Sequence, residues 1–108
     1  MTSPYTLIHD LASPDTIPAQ GILSRTLYDD DQVRVVLFGF SPGEELSEHT
    51  ASMPAILHVL HGQARLTLGG EPTPAGPGTW VRMEARLPHS VHAETPLLLL
   101  LTLLKTPG

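Results

Sequence analysis

The chain of 108 residues contains no cysteine, which excludes disulfides, thiolate zinc sites and cysteine nucleophiles. Stability is left to core packing and oligomer contacts, and the absence fits a reducing cytoplasm. Positive charge is also scarce. Six Lys and Arg against 11 Asp and Glu give a formal charge of −5, and Arg25, Arg34, Arg65, Arg82, Arg86 and Lys105 are scattered along the sequence. A phosphate backbone needs a concentrated positive surface, so no nucleic-acid partner is expected. Long apolar runs are missing. The most apolar stretch, Leu97 to Leu104, is broken only by Thr102 and is far shorter than the ~20 residues of a membrane-spanning helix, so no membrane partner is expected. Met1-Thr2-Ser3-Pro4-Tyr5 has neither the basic nor the apolar region of a secretory signal, so no export is expected.

What the chain does have is punctuation. Nine glycines and 11 prolines recur at short intervals, which holds every regular element to a few residues and disfavours long helices. Strands are the natural alternative. Gly21 to Tyr28 and Gln32 to Phe40 are rich in Leu, Val and Phe, with Asp29-Asp30-Asp31 as a polar hairpin connection. Val33, Val35 and Leu37 alternate with Arg34 and Val36, and Ala64, Leu66 and Leu68 alternate with Arg65 and Thr67, the period of half-buried strands. Ala55 to His61, Thr79 to Met83, His89 to Ala93 and Leu97 to Leu104 complete the set, with Gly69-Gly70 as a turn. Seven or eight short strands predict one all-β sandwich or barrel with little helix. Residues 1–20, with prolines at 4, 14 and 18, read as an N-terminal arm or strand, and 21–108 as the barrel.

Two blocks hold glycine, proline and histidine at fixed offsets. The first begins Gly43-Glu44-Glu45-Leu46-Ser47-Glu48-His49 and closes with Ala55-Ile56-Leu57-His58-Val59-Leu60-His61-Gly62. Gly43 and Gly62 supply the positive φ of tight turns, Gly43 just ahead of the strand that carries His49. The second runs from Gly78-Thr79-Trp80-Val81-Arg82-Met83 to Leu87-Pro88-His89-Ser90-Val91-His92-Ala93, where Pro88 fixes the backbone ahead of His89. This arrangement resembles the two signature motifs of the small single-domain cupins, the RmlC-like jelly rolls. The resemblance implies a double-stranded β-helix, or jelly-roll barrel, and a divalent transition metal such as Zn, Fe, Ni, Mn or Cu held inside it.

The family's ligand pattern is only half present. His49 stands at the first ligand position and His89 at the fourth, while Ala51 and Ala55 occupy the second and third, a histidine and a glutamate in the family pattern. Three protein ligands and an open position are the usual requirement of a catalytic metal site, so a third donor is needed. His58 is the first candidate. Alternation from Ala55 sends it outward with respect to Leu57 and Val59, whereas a bulge after Pro54 would turn it inward. Alternation from His89 sends His92 outward, His61 sits at a hairpin, and His9 is far from both blocks. Glu44, Glu45, Glu48 and Glu94 lack the right offset. Arg82 reads as a surface cation paired with an acid, or as a contact for an anionic substrate.

Two function classes follow. One is a metal-dependent cupin enzyme, with His49, His89 and His58 around the metal, acting on a small organic molecule as a dioxygenase, isomerase or decarboxylase. The other is a non-catalytic cupin that binds or senses a small ligand. In both, the leucine run Leu97 to Leu104 presents two apolar faces, one for the barrel and one for a partner, so a homodimer is expected.

Overall fold

The structure is a computed structural model that describes residues 3–105. Among the described residues it contains nine strands, one 3-10 turn and no α-helix. The strands are β1 (Ile22–Asp29), β2 (Val33–Phe40), β3 (Glu45–His49), β4 (Ala55–His61), β5 (Ala64–Leu68), β6 (Glu71–Ala75), β7 (Trp80–Met83), β8 (His89–Ala93) and β9 (Leu97–Leu104). They form a five-stranded sheet in the order β1-β2-β9-β4-β7 and a four-stranded sheet in the order β3-β8-β5-β6. The strand pairings are antiparallel, and the two sheets are the jelly-roll architecture the sequence predicts.

The core lies between the sheets and is written in period-two alternation. Along β4, Ala55, Leu57 and Val59 are buried while Ile56, His58 and Leu60 are half-buried. Along β8 the inward set is His89, Val91 and Ala93. Ala55, Leu57, Val59, Val91 and Ala93 join Phe40, Leu66, Met83, Leu97 and Leu99 in one apolar cluster. Full burial stabilises a side chain of this size by about 1.5–3 kcal/mol, so this cluster dominates the free energy of folding.

One strand escaped the sequence reading. The segment Glu71-Pro72-Thr73-Pro74-Ala75 holds two prolines, a composition that reads as turn, yet it pairs in register with β5 as β6. It is an edge strand, and Pro72 and Pro74 are exposed while Ala75 is buried. A residue without an N–H is tolerated where no further strand requires that donor.

Residues 3–20 differ from expectation in containing no strand. The arm holds only the 3-10 turn Pro14–Thr16 and packs against the outer face of the five-stranded sheet. At Gly39 a Cβ would collide with the Thr16 carbonyl, so only glycine lets the arm cross here. Leu98, opposite Gly39 on β9, is fully buried, and further along the arm Thr6, Ile8 and Leu11 line an open groove with Tyr28 and Val35. The arm therefore covers part of the face for which a partner was expected. The β4–β7 half is more open, and Trp80 is 58% exposed there.

The acidic hairpin between β1 and β2 also has a defined structure. Asp30 accepts hydrogen bonds from the Gln32 and Val33 amides and from the Tyr28 hydroxyl, and the tyrosine bond chiefly holds its carboxyl below the ordinary value. Asp29 is likewise held low, first by Lys105 and then by Arg34.

Candidate functional site at the mouth of the barrel

His49 closes β3, His89 opens β8, and the two are direct partners across the ladder. A register shift brings them together. Leu46 pairs with Val91 and His49 with His89, so three steps on β3 answer two on β8, the signature of a β-bulge. Leu46 packs against the core, and unbroken alternation would turn His49, three residues later, away from the interior. The bulge returns it to the face of His89.

The imidazole rings lie 4.3 Å apart between centroids, tilted by 58°. His89 is 6% exposed, whereas His49 is open to solvent. Each ring is fixed from behind: Nδ1 of His49 lies 2.8 Å from the Ser47 carbonyl, and Nδ1 of His89 lies 2.8 Å from the Leu87 carbonyl. A carbonyl oxygen only accepts, so each Nδ1 donates, and in the neutral ring each Nε2 keeps its lone pair. This is the tautomer with which an imidazole ligates a metal or accepts a ligand's proton through Nε2.

The remaining positions do not supply a third donor. Ala51 lies in the loop after β3, where its carbonyl accepts the Arg86 amide at 2.7 Å. Ala55 opens β4 on the interior face and is 2% exposed. His58 is a correction to the three-histidine reading. The pairing of β4 with β9 runs without a shift from Ala55 to Val59, so no bulge follows Pro54 and His58 stays on the outer face, opposite Leu100 and Trp80. His92 also faces outward, with Nδ1 3.8 Å from a Glu45 carboxylate oxygen. His61 and His9 are exposed, at the end of β4 and in the arm.

Glu71 shares the histidine face but was missed. The register places His49, His89, Leu68 and Glu71 in one row across the four-stranded sheet, with Leu68 between the histidines and the carboxylate. Recognising it required recognising β6 as a strand. Among the described residues no group of three or more His, Asp or Glu side chains is placed to hold an ion. Two fixed imidazoles fall short of the three protein ligands of a resident site, so the residues present do not fit a tightly held metal. They do form a pair of acceptors side by side.

Comparison with known proteins agrees with the geometry. Among curated proteins none matches this sequence. A conserved protein of unknown function from Streptococcus pyogenes superposes with a TM-score of 0.80 at 25% identity, covering 100% of this chain and 93% of that one. A Cupin 2 conserved barrel domain protein from Leptotrichia buccalis is 32% identical over 78% of this chain and 41% of its own, with a TM-score of 0.72. A salicylate 1,2-dioxygenase from Pseudaminobacter salicylatoxidans shares the fold at 19% identity and a TM-score of 0.73, over 80% of this chain and 28% of that one. The Cupin domain family model matches residues 36–103, from β2 almost to the end of β9, and with both histidines inside that span the chain belongs to the cupin family.

Proposed function

We propose that the chain is a non-catalytic, small-ligand-binding cupin without a tightly bound metal. A small organic molecule bearing hydroxyl or N–H groups is held at the barrel mouth by the Nε2 atoms of His49 and His89. The observation that carries this reading is the donor set: two imidazoles fixed by the Ser47 and Leu87 carbonyls, alanine at positions 51 and 55, and His58 on the other face. Native mass spectrometry of the purified protein and of His49→Ala tests it. The expected result is the same sub-stoichiometric metal in both. One ion per chain that His49→Ala loses would overturn it.

The two free Nε2 atoms also favour a second reading, a metal-dependent enzyme acting on a small organic substrate. Zn, Fe, Ni, Mn or Cu would then be held by His49, His89 and donors brought by water or substrate. That a salicylate 1,2-dioxygenase shares the fold supports this reading. Oxygen uptake with small enols or diketones separates the two readings, and the binding reading predicts none.

The same proposal includes a homodimer, working in the reducing cytoplasm. His58 and Leu60 on β4 and the exposed Trp80 on β7 form a patch of the outer face far from the arm crossing at Gly39. A second copy covers this apolar area. Sedimentation at micromolar concentration is expected to give a dimer, and a strict monomer contradicts it.

A further inference from the structure

The two loops that flank the histidines also build a second cavity, on the outside of the barrel. It measures about 630 Å³, and Arg82, Arg86 and Lys105 line it together with Met53, Pro54 and Leu104. Its volume lies in the range of small-molecule sites, ~300–1,000 Å³. Arg82 occupies an exposed, outward position of β7, opposite Ile56, so it does not enter the barrel.

The charge distribution is the second observation. Half of the six Lys and Arg residues of a chain with net charge −5 converge on this one cavity. Among the described residues the ion pairs are Arg34–Asp29, His92–Glu45 and Lys105–Asp29, so Arg82 and Arg86 have no acidic partner there. Lys105 is tied to Asp29 and to the Asp30 carbonyl, which leaves the two guanidinium groups as the open donors. The loop bearing Arg86 is anchored by the hydrogen bond its backbone N–H donates to the Ala51 carbonyl, and Arg86 itself sits at φ 69°, a backbone geometry uncommon for a residue with a side chain. Guanidinium groups match a carboxylate geometrically as well as electrostatically, and Met53, Pro54 and Leu104 give the cavity an apolar wall.

We propose that this cavity binds a small organic carboxylate, with the anionic group at Arg82 and Arg86 and the apolar body against Met53, Pro54 and Leu104. The site is separate from the histidine pair and does not depend on the reading given to that pair. Benzoate is the probe, with benzyl alcohol as its neutral counterpart, in a titration followed by backbone amide NMR. Saturable shifts are expected around residues 52–54, 82–86 and 104–105. Arg82→Gln and Arg86→Gln are each expected to weaken benzoate about tenfold or more, the loss of one charge-assisted partner, while Arg65→Gln, an exposed cation on β5 outside the cavity, stays within about twofold. Both arginines are exposed, so the variants are expected to keep the thermal midpoint of the parent. The proposal is overturned by equal affinity for benzyl alcohol read at residues 52–54, 82–86 and 104–105, by undiminished benzoate binding in the Arg82→Gln/Arg86→Gln double variant, or by an equal loss of benzoate binding in Arg65→Gln.

Discussion

Strands β3 and β4 each carry positions of the first histidine block, and they treat their histidines in opposite ways. On β3 one extra residue between Leu46 and His49 turns the imidazole inward beside His89. On β4 the ladder with β9 is regular from Ala55 to Val59, so the core receives Ala55, Leu57 and Val59, and His58 is left outside. A single-residue change of register moves a side chain to the other face of a sheet, and here it decides which histidines belong to the site. β4 buries the methyl group of Ala55 at the position where the family pattern calls for glutamate.

The largest effect that tests this contrast comes from rebuilding what β4 and the loop before it lack. Ala51→His/Ala55→Glu restores the four-ligand set, and purified protein is expected to go from sub-stoichiometric metal to about one ion per chain by elemental analysis. A folded variant that gains none would break the assignment of positions 51 and 55 to the mouth.

Next in size is the inside-outside contrast along β4 itself. Leu57→Ala removes a core side chain and is expected to cost about 2–5 kcal/mol in urea unfolding, whereas His58→Ala, one residue on, stays within about 0.5 kcal/mol. Comparable losses at the two positions would mean that the alternation is wrong.

A smaller difference is expected within the pair. His89 is buried and bonded to the Leu87 carbonyl, so His89→Ala is expected to cost about 1–2 kcal/mol in the same assay. His49 is exposed, and His49→Ala stays within about 0.5 kcal/mol while abolishing whatever the mouth binds. Equal destabilisation would place both rings in the core.

Much of the barrel was legible in the sequence because its signals are local. Alternation in β2 and β5, the turns at Gly43 and Gly62, which take φ of 86° and 91°, and the leucine run of β9 each follow from residues close in the chain. The pairing of His49 with His89 was legible through the family pattern. The rest depended on partners. β6 is stable only because β5 lends it a ladder, so its prolines read as a turn until the edge is seen. The bulge of β3 is defined by β8, and nothing in Leu46-Ser47-Glu48-His49 alone announces it. The fit of the arm over Gly39 and the gathering of Arg82, Arg86 and Lys105 are likewise long-range facts, since residues scattered in sequence meet only in the folded chain.

The most direct test of the mouth is the imidazole nitrogen NMR spectrum of the wild-type protein during a zinc titration. His49 and His89 are expected to show protonated Nδ1 and bare Nε2, and their Nε2 resonances are expected to move together as zinc is added, with His58 unmoved. His58 shifting in step with them, or His49 and His89 responding independently of each other, would contradict a site made of those two imidazoles alone.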